Sequence, residues 1–432
     1  MMLAEIEIVT GIAGAGKTAQ LQAEYRAALL QAERNRRVPQ VLWITPTLRS
    51  RELVRQQLFA DSNLKGCFAP NILTFDQFAE QILRHSSEPV RFLSDTAKRL
   101  VVRTLINQQQ EQNQLIHFRS IAHTEGYLEL ACQFISELKR DEIWPERFLE
   151  TCHQYLQSRR KDCELGELYL AYQNFLQNPS GTQIKLYDAE GRFWSARDAL
   201  DRGEFGPFSA LDLVVVDGFT DFTFTQYKIL GHLAERTQRM LISLPLEEPQ
   251  TRLDLFAKSL AARKGLKGTA RRSSVRHLTH KSETSSSPPA IEFIARNMFL
   301  NPRKIVPSPD ATGLKLTSAI GPTSEAEQIA REVKRLLLKG VAPADIVVSY
   351  RSLKEESALL TDVFTAAGIP FYCDNPRALT ELPLTKALFS ILQLEQEDWS
   401  YERLMKLVDS NFFRPDWSHS AEGELSEISN SA

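Results

Sequence analysis

The segment that most constrains this chain is GIAGAGKT, from Gly11 to Thr18, which satisfies the pattern G-x-x-x-x-G-K-[ST]. Residues Ile6 to Thr10, just before it, alternate as a strand does, and residues Ala19 to Glu33, just after it, have helical periodicity. A strand, a glycine-rich loop and a helix in this order predict a phosphate-binding loop within a parallel α/β sheet.

The residue types in this loop suit a triphosphate. Backbone N–H groups can surround phosphate oxygens only where side chains do not obstruct them, and the positive end of the following helix adds attraction for the anion. Lys17 would reach the outer phosphates, and the Thr18 hydroxyl would ligate Mg²⁺. The alternative is a glycine-rich turn that holds no ligand. The predicted nucleotide-binding residues are Gly11, Gly14, Ala15, Gly16, Lys17 and Thr18.

Further strand and helix patterns predict the fold class. The segment VLWIT (41–45) and the segment beginning at Ile72 each read as a strand followed by a helix, and a fully apolar run, Leu213 to Val216, reads as a strand buried on both faces. Residues 88–203 carry helical patterns with few strand candidates. We therefore expect an α/β protein of the P-loop NTPase (RecA-like) type, with parallel sheets and all-helical insertions.

These patterns divide the chain into six expected regions. The stretch Lys258 to Lys281 holds eight lysines or arginines and no acid, which indicates either a solvated loop or a contact with nucleic-acid phosphate. The expected regions are a first RecA-like domain over 1–87 that continues over 204–260, a helical insertion over 88–203, a basic Ser/Pro-rich linker over 261–310, the start of a second RecA-like domain over 311–378, and a helical segment with a polar tail over 379–432.

Composition limits the classes of function. The net charge of -2 argues against a uniformly basic surface, so any nucleic-acid site has to be local. The five cysteines form no C-x-x-C pair, which favours reduced thiols over disulfides or a complete metal site. No apolar run approaches ~18 residues. We expect a cytoplasmic protein without membrane partners.

The segment VVVDGFTDFTFTQ, from Val214 to Gln226, predicts a second part of the site. A carboxylate at the end of a buried strand beside a phosphate loop is an expected outer ligand of Mg²⁺, and Asp217 has that position; alternatively it only starts a turn. In ATP-hydrolysing relatives a Glu comes next and activates water, whereas this chain has Gly218. Loss of a general base costs typically 10²–10⁴ in rate, so hydrolysis is expected to be slow or absent unless Asp221 substitutes.

Several segments, taken in order, resemble the UvrD-like superfamily 1 DNA helicases. They are GIAGAGKT, WITPT, ILTFDQF, VVVDGFTDF, VVSYRS and GIPFYCD. In detail the chain resembles the B subunit of the bacterial AddAB/RexAB helicase–nuclease, in which D-G-F replaces the D-E of active motors. The segments FISELKRDEIWPERF and LPLEEPQTRLDLF also resemble that protein. The likeness covers most of the 432 residues.

This resemblance implies further site residues. Arg351 falls where relatives place an arginine against the γ-phosphate, and it is a candidate for nucleotide contact or catalysis; alternatively it is an exposed residue after a strand. Five residues lie where relatives touch single-stranded DNA, and they could equally be strand-end turn and core residues. These five are Thr45, Pro46, Thr47, Thr74 and Phe75.

The resemblance also implies cofactors, partners and a role. ATP and Mg²⁺ would be bound, DNA would be the substrate, and an active helicase–nuclease subunit would be the partner in a heterodimer. An iron–sulfur cluster is expected only if the parent chain continues past Ala432. The implied role is processing of DNA double-strand breaks for recombinational repair, by a degenerate motor that scans or guides DNA.

Two other functions remain open from the sequence. A P-loop kinase or ATPase acting on a small molecule would need a substrate lid with arginines close after the loop. A non-catalytic scaffold would keep the loop as a relic. Nucleotide binding that depends on Lys17 separates the scaffold from the other two, and salt-dependent binding of single-stranded DNA excludes the kinase.

Overall fold

The computed structural model describes residues 5–60, 70–154, 160–179, 184–269, 272–279, 288–307, 310–353, 356–373, 379–396 and 398–412. The chain divides into two compact units, Met1–Gly313 and Leu314–Ala432. The expected polar tail over 418–432 lies outside the described residues.

A six-stranded sheet organises the first unit. Its strands are β1 (Glu5–Gly11), β2 (Val41–Thr45), β3 (Ile72–Thr74), β6 (Leu211–Val216), β7 (Thr237–Pro245) and β8 (Ser273–His277). Their order is β3-β2-β6-β7-β1-β8, and every adjacent pair is parallel. All five residues of β2 are buried, as a strand covered on both faces requires. The α/β class with a parallel sheet is confirmed.

Helices cover both faces of this sheet. On one face, α1 (Lys17–Arg34) and α2 (Leu48–Phe59) pack apolar side chains such as Leu21 against Trp43 of β2. On the other face lie α3 (Phe75–Arg84), α8 (Ala189–Asp201), α9 (Phe224–Arg236) and α10 (Ala257–Thr269). Both layers keep water away from the strands, so polar groups of the sheet reach solvent mainly at the strand ends.

Residues 88–203 contain a second core that helices dominate. The helices α4 (Asp95–Glu111), α5 (Glu125–Arg140), α6 (Pro145–Gln154) and α7 (Arg160–Gln177) lie in this span. The expectation of an all-helical insertion is wrong in one respect, since β4 (Val90–Phe92) and β5 (Lys185–Tyr187) pair in parallel as a small sheet. Strands of three residues are too short to show a period of two in a sequence.

The predicted linker over 261–310 is also corrected. Its first residues belong to α10, which buries Ala262 and Leu266 in the sheet core, and β8 pairs with β1 at the edge of the sheet. A further helix, α11, spans Pro289–Asn297. Lys264 and Lys267 remain exposed. These two basic residues therefore lie on the outer face of a helix rather than in a loop.

The second unit contains α12 (Gly321–Leu338), α13 (Glu356–Ala366), α14 (Pro383–Leu394) and α15 (Tyr401–Val408). Ala326, Ala330 and Val333 of α12 pack with Leu360 and Phe364 of α13. Within the region 311–378, where the second RecA-like domain was expected to start, no paired strand is found among the described residues. A strand is defined by its ladder partner, which alternating residues alone cannot supply. The second RecA-like domain therefore remains a prediction.

Candidate functional site

The glycine-rich segment forms the turn between β1 and α1. The strand ends at Gly11, and the helix begins at Lys17 directly after Gly16, which has a left-handed backbone with φ 81°. Gly14 is left-handed as well, with φ 79°. No side chain caps the start of α1. The loop is thus shaped by backbone conformations that glycine adopts without strain.

This loop offers several backbone donors to a ligand. Within the described residues, no group accepts a hydrogen bond from the amides of Gly14, Gly16, Lys17 or Thr18. The amide of Ala15, in contrast, donates to the Ile12 carbonyl at 3.2 Å. Free amides at the start of a helix, combined with the positive end of its dipole, attract anions such as phosphate.

Lys17 lies across the loop that precedes it. Its Nζ donates to the carbonyl oxygens of Gly11 and Ile12, both at 2.8 Å. Burial lowers the pKa of Lys17 below its ordinary value of 10.5, and the negative charge of Asp217 partly opposes this shift. The ammonium is held by neutral carbonyls, so a phosphate can replace them with a stronger, charge-assisted partner.

Asp217 connects the glycine-rich loop to the end of β6. Its side chain is 6% exposed, and its Oδ2 accepts a hydrogen bond from Thr18 Oγ1 at 2.8 Å. Its backbone N–H donates to the Ile44 carbonyl of β2 at 3.0 Å. The two residues predicted to hold Mg²⁺, which are 199 positions apart in the chain, are therefore in direct contact.

Ser243 of β7 is the member of this site that the sequence analysis missed. It is 2% exposed, its Oγ donates a hydrogen bond to Asp217 Oδ1, and the amide of Gly218 donates to the same Oγ at 3.3 Å. β7 lies between β1 and β6, so this side chain fills the gap between the two predicted parts of the site. A single polar residue within the apolar run MLISL was the available signal.

Gly218 occupies a backbone conformation that excludes most other residues. Its φ is +88°, and a Cβ at this position would lie 3.2 Å from Pro46 Cδ. A residue with a Cβ is about 1–2 kcal/mol less stable than glycine in the left-handed region. The conformation of this turn therefore favours glycine over glutamate at the position after Asp217.

Asp221 lies on the exposed loop between β6 and α9. Its side chain is 55% exposed, and its Oδ2 lies 3.4 Å from Lys258 Nζ. Thr220 Oγ1 also donates to Asp221 Oδ1, at 3.1 Å. The carboxylate is thus engaged with neighbours of its own, and its role as a substitute base stays a prediction.

Three of the five predicted DNA contacts, Thr45, Thr74 and Phe75, are buried. Phe75 is 3% exposed and packs edge-on against Phe78, Phe193 and Phe219, as a core residue does, and its contact with DNA stays a prediction. Thr74 caps α3 by accepting a hydrogen bond from the Gln77 amide. Both side chains are thus used within the fold.

The remaining predicted contacts lie at the end of β2. The Oγ1 of the buried Thr45 donates to the Thr47 carbonyl at 3.2 Å. Pro46 and Thr47 are exposed, and Thr47 caps α2 by accepting a hydrogen bond from the Ser50 amide. Of the five predicted contacts, Pro46 and Thr47 are accessible to a nucleic acid.

Arg351 belongs to the second unit and is exposed. Its predicted contact with a nucleotide remains a prediction.

The donors present fit a magnesium site of one particular kind. Among the described residues, no group of three or more His, Cys, Asp or Glu side chains is placed to bind a metal ion. Mg²⁺ bound together with a nucleotide needs only one or two protein oxygens, because phosphate and water supply the rest. Thr18 Oγ1 and Asp217 Oδ2, in contact beside the glycine-rich loop, suit that arrangement.

Comparison with known proteins identifies the family. Residues 8–294, about two thirds of the chain, match the family described as ADDB, N-terminal. The chain belongs to this family.

The curated relatives of this ADDB-family chain are named as the B subunit of an ATP-dependent helicase/deoxyribonuclease. The chain is 26% identical over 420 residues to that protein of Desulforudis audaxviator (strain MP104C). It is 25% identical over 433 residues to that of Listeria monocytogenes serotype 4a (strain HCC23) and 23% over 421 residues to that of Thermoanaerobacter sp. (strain X514). Each match covers 94% of this chain and 35% of the relative. The chain thus spans about a third of the length of these relatives.

Among the helices that the structure describes, none combines the length and apolar character needed to cross a bilayer.

Proposed function

We propose that this chain is the ATP-binding, DNA-binding part of a helicase–deoxyribonuclease complex that processes DNA double-strand breaks for recombinational repair. The observation that carries the proposal is the hydrogen bond from Thr18 to Asp217, which joins the loop shaped for phosphate to a buried carboxylate. The membership of the ADDB N-terminal family and the names of the relatives support it.

In the proposed mechanism the phosphate loop binds the nucleotide through its amides and Lys17. The amides of Gly14, Gly16 and Thr18 would donate to phosphate oxygens. Thr18 and Asp217 would hold Mg²⁺, which supplies neutralisation of the phosphate charge. This mechanism would place the first unit among RecA-like P-loop NTPases.

The same geometry favours a nucleotide that is held rather than rapidly hydrolysed. Gly218 supplies no base after Asp217, and the exposed Asp221 pairs with Lys258. The proposed role is a degenerate motor that guides or scans DNA beside an active helicase–nuclease partner subunit.

DNA would pass over the exposed edge at Pro46 and Thr47. Arg49, exposed in the first turn of α2, adds a cation beside these residues. Cations and helix N-termini commonly contact nucleic-acid phosphates. Pro46 also lies against the turn at Gly218, so this edge is next to the proposed nucleotide site.

Titration of a fluorescent ATP analogue tests the proposal. Loss of a charge-assisted contact predicts that Lys17→Ala binds the analogue about 10- to 100-fold more weakly than the wild type. Equal binding by the two proteins would favour a relic loop in a scaffold. Robust DNA-stimulated hydrolysis in single-turnover assays would refute the degenerate motor.

A separate titration tests the DNA edge. Single-stranded DNA should bind with an affinity that falls steeply with salt, and Arg49→Ala should weaken binding and reduce that salt dependence. Arg34→Ala, which removes a cation from the last turn of α1, is the matched control. Equal effects of the two substitutions would place the DNA elsewhere.

A further inference from the structure

We infer that Ser243 is a positioning residue for the metal: its hydroxyl holds Asp217 so that one carboxylate oxygen faces the Thr18 hydroxyl. This inference rests on the proposed function, since it assigns a role within the same nucleotide site. It concerns how tightly Mg²⁺ is bound, which is a quantity separate from nucleotide binding itself.

The contacts of the carboxylate support this role. Asp217 Oδ1 accepts from Ser243, and Oδ2 accepts from Thr18 at 2.8 Å. Each oxygen thus has its own hydroxyl partner, one from strand β7 and one from the first turn of α1. With Oδ1 engaged by β7, Oδ2 is the oxygen that lies beside the other predicted ligand.

Ser243 also fixes the backbone that carries Asp217. Its Oγ accepts from the Gly218 amide at 3.3 Å while donating to Asp217. One hydroxyl therefore constrains both the side chain and the following peptide. A buried hydroxyl on a central strand is a rigid support, because β7 is paired with β1 on one side and β6 on the other.

The strand context argues against a purely structural role. The residues around Ser243 in β7, from Met240 to Leu244, are otherwise apolar and buried. A small apolar side chain would suit this environment, and a polar one is favourable there only with satisfied hydrogen bonds. The bonds that satisfy Ser243 run to the predicted metal ligand and its neighbour.

The test measures the affinity for Mg²⁺ apart from the affinity for nucleotide. A fluorescent ATP analogue is titrated into the full chain in the presence of a chelator and then at increasing Mg²⁺ concentrations. Outer partners of metal ligands typically contribute 10- to 100-fold in metal affinity, so Ser243→Ala should raise the Mg²⁺ concentration at half-effect by about that factor. Binding measured in the chelator should stay unchanged.

Three variants control this result. Ser243→Thr keeps the hydroxyl and should restore the Mg²⁺ response. Thr237→Val removes another buried hydroxyl from the far end of β7 and should leave that response unchanged. Ser243→Cys keeps the shape of serine, so it reports the loss of the hydrogen bond even if the alanine variant fails to fold.

A double substitution tests whether Ser243 acts through Asp217. If it does, Ser243→Ala combined with Asp217→Asn has the same Mg²⁺ response as Asp217→Asn alone. An unchanged Mg²⁺ response in both folded Ser243→Ala and Ser243→Cys would overturn the inference. Failure of the proposed function looks different, because wild type and Lys17→Ala would then bind the analogue equally.

Discussion

Two buried aspartates of the first unit have opposite surroundings. Asp188 is the residue between β5 and α8, and it is 0% exposed. Its carboxylate contacts Lys139 Nζ at 2.6 Å and Lys98 Nζ at 3.4 Å. The hydroxyl of Tyr172 donates to it as well, at 3.1 Å. Asp217, at the end of β6, contacts two hydroxyls, and no described lysine or arginine forms an ion pair with it.

The difference indicates which carboxylate is structural. Burial pushes the pKa of Asp188 upward, but the charges of Lys139 and Lys98 outweigh it and hold the pKa below its ordinary value. Asp188 is therefore a neutralised anion inside a closed cluster. Asp217 receives hydrogen bonds from neutral hydroxyls, next to a loop with free amides. A cation that binds together with a phosphate would balance the negative charge of Asp217.

The largest expected effect is on the free energy of unfolding, which should depend much more on Asp188 than on Asp217. Asp188→Asn leaves the buried ammonium of Lys139 without its charged partner, while Lys98 keeps Glu190 at 3.2 Å. Removal of one partner of a buried ion pair typically costs about 3–5 kcal/mol. Asp217→Asn removes a charge that forms no salt bridge with a described lysine or arginine, and it should change the free energy of unfolding by less than about 1 kcal/mol. Urea denaturation followed by circular dichroism measures both. Equal destabilisation would remove the distinction.

The next effect is on Mg²⁺-dependent binding of the ATP analogue, which should depend on Asp217 and not on the cluster around Asp188. Asp217→Asn should weaken the Mg²⁺-dependent part of ATP-analogue binding by at least about tenfold, because a charged metal ligand becomes a neutral amide. Glu190 contacts Lys98 Nζ at 3.2 Å, beside Asp188. Glu190→Gln is therefore the matched control, and it should leave this binding unchanged. Calorimetric titration with and without Mg²⁺ gives the result. A Mg²⁺ response that survives in Asp217→Asn would contradict the assignment of the ligand.

A smaller effect tests whether the turn after Asp217 is fixed as glycine. Gly218→Ala should cost about 1–2 kcal/mol, because the left-handed conformation strains any Cβ and Pro46 lies close to it. Gly218→Glu should destabilise the protein by a similar amount, and it should not increase ATP hydrolysis in single-turnover assays. Gly231→Ala is the control, since it lies inside α9 with open space around its Cβ, and it should be neutral or stabilising.

The smallest effect is a dependence on pH. Phosphate binds the protonated form of Lys17, whose pKa is lowered by burial. Affinity for the ATP analogue should therefore be highest below that pKa and fall as pH rises through it, beginning below 10.5. In Lys17→Arg the charge persists to higher pH, so the profile should stay flat over the same range. A decline shared by both proteins would assign the effect to another group.

The sequence predicted the parts of the site that depend on local pattern. The loop from Gly11 to Thr18 and the strand that ends at Asp217 have characteristic residue types over short spans, and the structure brings Thr18 and Asp217 into contact. Ser243 could not be predicted, because its role depends on the order of β1, β7 and β6 in space. Strand order is a property of tertiary structure.

The burial of Thr45, Thr74 and Phe75 could not be predicted for a related reason. Phe75 lies at the start of α3, where sequence alone cannot distinguish a ring that faces solvent from one that faces α8 and the loop after β6. The strand β8 was missed because the surrounding basic residues suggest a solvated loop. Two of its polar side chains have partners elsewhere in the unit: Arg276 pairs with Glu7 and Glu24, and His277 Nδ1 lies 3.1 Å from Thr10 Oγ1.

The position of β8 has a consequence for biosynthesis. Thr10 and His277 are 267 residues apart, and the Leu278 amide bonds to the Thr10 carbonyl at 2.7 Å. Both strands that flank β1, β7 and β8, are translated long after it. A ribosome therefore releases the glycine-rich loop early, whereas the strands that flank β1 emerge late. The nascent chain can complete the proposed nucleotide site only after most of the first unit has emerged.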